Sequence, residues 1–501
     1  MGTFERAAAV VAVLLAAASL PAGATTPERI SDAAAAVEDK VVAWRRDIHE
    51  HPELSNREHR TADLIAAHLR SLGLSVTTGV AHTGVVGVLE GGRPGPVVGL
   101  RADMDALPVT ERTGLPYASE VRSTYNSQDV GVMHACGHDN HVAILMGAAE
   151  VLAGMREQIP GTVKFIFQPA EEGPPPGEDG GAPMMVAEGV LENPDVDAIF
   201  GLHISQGDRV GQMSYRPGGA MASAQRFEIH VQGRQTHGAQ PWAGVDPIVV
   251  GAHIVTALQT IVSRQVELTR GPAVVTVGTF HAGVRNNIVP DEAKMAGTIR
   301  TFDPGMRDAI HQKIEQIATS VAESMGAEAT VHIDDIPPGL PVTHNDEHLT
   351  ERMLPTLRSV YGAENVRLGD PITGAEDFSF FQQEVPGLFF FIGGRPADVP
   401  LEQAIPNHSP LFYVDEGARL CPKSPEFARN ASSSGVDWRP SARFRWGNRP
   451  KRSTMSRCCW ACLRNAPVRC RCPGGVSSRR PLNRPTDACW CRRDSACSKG
   501  M

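Results

Sequence analysis

Thr162-Val163-Lys164-Phe165-Ile166-Phe167-Gln168-Pro169-Ala170-Glu171-Glu172-Gly173 is the stretch on which the fold class turns. Thr162 to Phe167 is short, β-branched and aromatic, and reads as a strand. It delivers two adjacent carboxylates at its carboxyl end. Upstream, residues 139–155 read as a helix, with Val142, Leu145, Met146, Ala149 and Leu152 on an apolar stripe and Asp139 as N-cap. Earlier still, Val85–Leu89 and Pro96–Arg101 read as strands joined by the turn Gly91-Gly92-Arg93-Pro94-Gly95, the second running into Asp103-Met104-Asp105. Downstream, Ala198–His203 is a strand ending on a histidine. Helices between short apolar strands predict an α/β fold with a mostly parallel sheet and helices on both faces. In such sheets chemistry gathers at the carboxyl ends of the strands, where Asp105, Glu171, Glu172 and His203 fall.

Working outward, Pro27 to about Glu50 and about Arg57 to Leu72 read as helices, so residues 25–217 are expected to form the first part of one domain. Residues 218–335 have another rhythm. Strands at 224–231, 274–280, 294–301 and 327–333 and helices at 246–264 and 304–325 follow the β-α-β-β-α-β order of a ferredoxin-like α+β unit, read as an inserted domain. Residues 336–420 return to the first domain through a helix at 346–361 and a strand at 387–392.

The two ends differ from this body. Residues 1–24 read as a signal peptide: Arg6, an apolar run Ala7–Leu20, and Ala22-Gly23-Ala24 as cleavage site. No other segment reads as long and apolar enough to span a bilayer, so the mature protein is expected to be periplasmic or secreted, with no membrane partner after cleavage. The net charge of −8 hides a split, since residues 421–501 carry 18 Lys/Arg against 4 Asp/Glu, a net of +14, leaving −22 on residues 1–420. An acidic body argues against a nucleic-acid partner. The last 81 residues hold nine of the ten cysteines without apolar periodicity, and read as a disordered or frame-shifted tail.

The remaining cysteine is in Met133-His134-Ala135-Cys136-Gly137-His138-Asp139. A lone cysteine is most often a small buried hydrophobe, and His203, His408 and Glu171-Glu172 each have an ordinary reading as core, turn or strand-end residues. Together Cys136, His138, Glu172, His203 and His408 make a donor inventory suited to zinc or manganese. Successive side chains leaving a strand point apart, so one glutamate can bind metal while the other faces the water.

The chain resembles the M20 metallopeptidases, in particular the amidohydrolase branch with the hippurate and indole-3-acetyl-amino-acid hydrolases. The likeness runs from about Val41 to Glu416 and rests on Arg45–Leu54, Arg101–Pro108, Cys136–Asp139, Gln168–Gly173, Gly201-Leu202-His203, Gly244–Pro247, Gly374–Phe378 and Asn407–Pro410. It implies two divalent metal ions per subunit, zinc or manganese foremost with cobalt or nickel also suited, bound by Cys136, His138, Glu172, His203 and His408. It implies Glu171 as general base and acid, Asp105 as the carboxylate that orients the site, and His237 as oxyanion donor. Asn287 and Arg300 are implied to hold the substrate, and the inserted domain to be lid and dimerisation surface of a homodimer. The implied reaction is hydrolysis of an N-acyl or N-aroyl amino acid. An exopeptidase or dipeptidase is the alternative on the same site, but needs an acidic anchor for a free α-amine that is not identified. An exported, catalytically silent metal or ligand binder is the alternative of another class. The chain departs from the family pattern in Gln240-Pro241-Trp242 and in the tail that stands where a packed C-terminal helix is usual. Losing that helix's buried side chains costs about 2–5 kcal/mol for each large one.

Overall fold

The computed structural model describes residues 27–333 and 339–416. The expected leader at 1–24 and tail at 421–501 lie outside the described residues.

The larger sheet has eight strands, in spatial order Ser75–Val80, Gly84–Glu90, Pro160–Gln168, Arg93–Asp103, Ala198–Arg209, Gly387–Arg395, Met213–Tyr215 and Val366–Leu368. The four central ones, from Pro160–Gln168 to Gly387–Arg395, are mutually parallel, and antiparallel strands flank them. The two strands joined by the Gly-Gly-Arg-Pro-Gly turn are not neighbours, because Pro160–Gln168 lies between them. From Arg93–Asp103 the chain winds first to one side and then to the other. That strand's carboxyl end is therefore a topological switch point, where open α/β sheets bind ligands.

Strand side chains alternate between two cores, as a period of two requires. Phe165, Phe167, Leu202, Leu388 and Phe390 pack on one face with the helices Pro27–Glu50, His59–Ser71, His138–Gly154 and Glu347–Tyr361. Ile166, Ile199 and Phe389 pack on the other with Gly181–Ala187 and Ser379–Glu384. Helix His138–Gly154 is buried all round rather than along the single expected stripe, since Ala143, Ile144, Ala148 and Val151 are also enclosed. The Pro27–Glu50 helix lies across it. Their approach needs a glycine: a Cβ on Gly147 would stand 2.6 Å from Val41 Cγ2.

The second sheet is antiparallel, in the order Ala273–Ala282, Glu292–Thr301, Gln225–Gln232, Glu328–Ile333, which is the ferredoxin-like order. Its core is its own, built from Phe227, Ile229, Ile299 and the buried stripes of Pro247–Thr260 and Pro304–Ser324. Both helices begin as the sequence rules require, with proline in the first turn after an aspartate whose carboxylate accepts backbone N–H groups (Asp246 from Ile248, Asp303 from Met306). One expectation is corrected here. Helix Pro247–Thr260 and the π turn Ile261–Gln265 that continues it make a 19-residue stretch with mean hydropathy 1.2 in its apolar window, long enough to cross a bilayer by length and composition. Its Val250, Ile254, Leu258 and Ile261 instead form part of the core of this unit.

Candidate metal centre

The loop before helix His138–Gly154 reaches its start through Gly137, whose φ of +101° suits only glycine. Asp139 does not cap this helix. Its carboxylate accepts from Arg45 Nε at 2.8 Å and lies 2.9 Å from His49 Nδ1, both reaching in from the Pro27–Glu50 helix. Burial opposes its ionisation, but Arg45 and His49 hold it well below the usual carboxylate range. Arg45 also donates to Glu416 at 2.7 Å, so one buried guanidinium joins the helix start to the segment that follows His408.

Five donors meet just beyond this helix start. His138 donates from Nδ1 to the Asp105 carbonyl at 2.9 Å and lies 3.2 Å from its carboxylate. Its Nε2 is buried without a hydrogen-bond partner. His203 donates from Nδ1 to the Ile204 carbonyl at 2.7 Å and turns Nε2 toward Cys136 Sγ, 3.3 Å away. His203 is not at a strand end as expected, since its strand runs on to Arg209. Pairing with Arg93–Asp103 stops at Gly201, however, which leaves the His203 side of the strand open to the site. His408 Nε2 lies 3.3 Å from Cys136 Sγ and 3.0 Å from Glu172 Oε1. Its loop is held by the His408 N–H to the Ala135 carbonyl and by Asn407 to the Cys136 carbonyl. The ligand atoms form two compact triads that share one sulfur: Cys136, His138 and His203, all largely buried, and Cys136, Glu172 and His408, open to solvent at His408.

Glu171 and Glu172 do not diverge as strand alternation predicted. The strand ends at Gln168, Ala170 takes a left-handed φ of +53°, and both glutamates turn toward His138. Asp105 makes this turn possible, because its two carboxylate oxygens accept the N–H groups of Glu171 and Glu172, each at 3.1 Å, and the Ser55 hydroxyl at 2.8 Å. A second buried carboxyl, Glu58, accepts the Ala170 N–H at 3.0 Å.

The charges fit a cation. Burial works against the Cys136 thiolate, yet the imidazoles of His203 and His138 hold the thiol well below its ordinary range. Hydrogen bonds to Cys136 and Glu172 raise His408 to about 10, and Cys136 outweighs burial to raise His203 to about 9. Burial pushes Glu171 well above the carboxylate range, reinforced by Glu376 and Glu172. A thiolate among imidazoles, with an orphaned buried Nε2, is a donor set matched to a divalent metal.

Residues not singled out from the sequence support this set. Arg101, fully buried, donates to Asp103 at 2.6 Å, Gln168 at 2.7 Å, Glu376 at 2.9 Å and Asp377 at 3.0 Å. His141 joins Asp103 to the Ile204 N–H. The signals were there: Arg101 and Asp103 share one face of a strand by alternation, and His141 is one helical turn past His138.

His237, Asn287 and Arg300 stand elsewhere. His237 and Asn287 are neighbours, joined by the Gly238 N–H to the Asn287 carbonyl at 2.9 Å, and both are exposed. Arg300 is half-buried on Glu292–Thr301, and burial lowers its proton affinity. Among the described residues, no hydrogen bond or ion pair links these three to the five donors. Trp242, in the same turn region as His237, is 80% exposed.

An α/β sheet that gathers thiolate, imidazole and carboxylate donors at its switch point, beside a largely buried glutamate, has the parts that a metal-dependent hydrolase requires. Residues 99–419 match the peptidase family M20/M25/M40, and the chain belongs to that family. It is 40% identical to thermostable carboxypeptidase 1 of Saccharolobus solfataricus over 78% of this chain and 94% of that one. It is also 40% identical to IAA-amino acid hydrolase ILR1-like 4 of Arabidopsis thaliana, over 75% of this chain and 82% of that one. A dinuclear metal-binding peptidase of the M20 family from Bacillus subtilis superposes with a TM-score of 0.63 at 34% identity, covering 77% of this chain and 94% of its own.

Proposed function

We propose that the protein is a two-cation amidohydrolase that cleaves N-acyl or N-aroyl amino acids. The observation that carries this reading is the pair of triads sharing Cys136 beside the largely buried Glu171. Cys136, His138, Glu172, His203 and His408 hold the cations, zinc or manganese suiting the donors best. Cations bound there supply Lewis acidity, polarising an amide carbonyl and making water a stronger acid. Glu171 accepts a proton from the attacking water at its carboxylate and returns it to the amine nitrogen as the C–N bond breaks. Asp105 keeps Glu171 and Glu172 aimed through their backbone N–H groups. Donation from His237 to the developing oxyanion, with Asn287 on the carbonyl and Arg300 gripping the substrate carboxylate, completes the assignment. Arg300 supports it as a half-buried guanidinium with no acidic partner among the described residues. These three sit apart from the donors within one chain, so the reading includes a homodimer whose partner supplies His237. The apolar run at Ala7–Leu20 supports export to the periplasm or medium.

A peptidase reading is favoured by one observation, the 40% identity to a carboxypeptidase over 94% of its length. Both readings keep a substrate carboxylate for Arg300. A panel of acylated amino acids and dipeptides, with and without chelator, separates them, and cleavage of neither by metal-loaded protein refutes both. Glu171→Gln is expected to lower turnover by about 100-fold or more while leaving bound metal unchanged. Loss of metal instead would show that the roles of Glu171 and Glu172 are exchanged.

A further inference from the structure

His141 lies one helical turn beyond His138, its ring centroid 5.3 Å from that of His138 and 4.7 Å from that of His203. It is buried, and both nitrogens are engaged. Nδ1 is 2.5 Å from Asp103 Oδ1, and Nε2 accepts the Ile204 N–H at 2.9 Å. A ring that accepts at Nε2 carries its proton on Nδ1, so His141 is neutral and locked in one tautomer. Asp103 is held in turn by Arg101 at 2.6 Å.

Ile204 is also the residue whose carbonyl accepts the His203 Nδ1–H. A histidine that donates from Nδ1 presents the lone pair of Nε2, the usual way a supporting group orients a ligand. The path Arg101–Asp103–His141–Ile204 therefore ends on His203, a member of only one of the two triads. The other triad has shorter contacts of its own, the Glu172 N–H to Asp105 at 3.1 Å and the His408 N–H to the Ala135 carbonyl at 2.7 Å, and reaches Ile204 through the longer contact of the Asn407 amide to its carbonyl at 3.4 Å.

We infer that His141 is a positioning residue that clamps Ile204 and thereby fixes His203, securing the cation of the Cys136–His138–His203 triad and not that of the Cys136–Glu172–His408 triad. The inference rests on the two-cation reading above. It makes the two sites separable by a change at a residue that touches neither cation.

The test compares two conservative variants in the full chain. The amide oxygen of His141→Gln reaches the position of Nε2 and still accepts the Ile204 N–H. The amide of His141→Asn covers only the Nδ1 position and leaves that N–H without its acceptor. Met146→Ala, a cavity in the same buried helix, controls for general destabilisation. Each protein is stripped with chelator and titrated with Co²⁺, following bound metal per chain and the thiolate-to-cobalt absorption. Wild type, H141Q and M146A are expected to bind two cations. H141N is expected to keep one and to weaken the second by about 10–100-fold, with thiolate absorption retained from the remaining site. Equal behaviour of H141N and H141Q, or a loss in M146A matching that in H141N, overturns the inference. A wild type that binds one cation overturns the two-cation reading and the inference with it, whereas a wild type and an H141N that both bind two overturn the inference alone.

Discussion

Asp105→Asn isolates the device that aims the paired glutamates. In the native site Oδ1 is 3.1 Å from the Glu171 nitrogen and 3.2 Å from His138 Nδ1, while Oδ2 is 3.1 Å from the Glu172 nitrogen and 2.8 Å from the Ser55 hydroxyl. An amide has one oxygen and one NH2 group, so only one of these pairs keeps an acceptor. The cheaper arrangement turns the NH2 toward Ser55, whose hydroxyl rotates to accept, and leaves the Glu172 N–H unpaired. His138 then keeps its carbonyl partner, Asp105 O. One hydrogen bond to a charged group is lost, worth about 1.5–3 kcal/mol, which corresponds to roughly ten- to a hundredfold in rate. Steady-state kinetics, metal analysis and thermal melting on the same preparation read the result. The expectation is a fall in kcat within that range at saturating metal, with a lower melting temperature and weaker binding of the cation held by Glu172. Undiminished turnover in D105N would show that the turn at Glu171-Glu172 holds its aim without Asp105.

Two further outcomes concern stability. Burial first, then the nearby Asp105 charge, raises Glu58 from 4.5 to about 8. The folded carboxyl thus holds its proton over a window in which the unfolded one has released it, so the native state binds more protons and stability falls as pH rises from about 4.5 to 8. Glu58→Gln keeps an acceptor for the Ala170 N–H and should flatten that decline in urea melts of the metal-free protein at pH 5 and pH 8; an unchanged slope would assign it to other groups. Gly147→Val places its Cβ 2.6 Å from Val41 Cγ2 and is expected to cost about 1–3 kcal/mol in a denaturant melt. An unaltered midpoint would mean that the two helices part without loss of packing.

Much of the architecture was legible because local chemistry and global fold agree. Asp-Pro pairs mark two helix starts in the second unit, and alternation in 225–232 marks a sheet with one covered face. The five donors were legible as types and as an ordered set of motifs. Where local rules misled, a distant partner had outcompeted the local one. Asp139 resembles an N-cap, but buried Arg45 offers it a full charge in place of a helix N–H. The Glu171-Glu172 pair follows strand alternation only if the strand continues, and the left-handed Ala170 ends that continuity.

By itself the sequence determined which segments alternate and which are helical. Those are properties of neighbours along the chain, set by backbone sterics and apolar period. The tertiary structure alone decided that Pro160–Gln168 enters between two strands adjacent in sequence, that one sulfur serves two triads, and that His141 reaches His203 through Ile204. Such contacts join residues tens to hundreds of positions apart, and their geometry exists only once the sheet has closed around them.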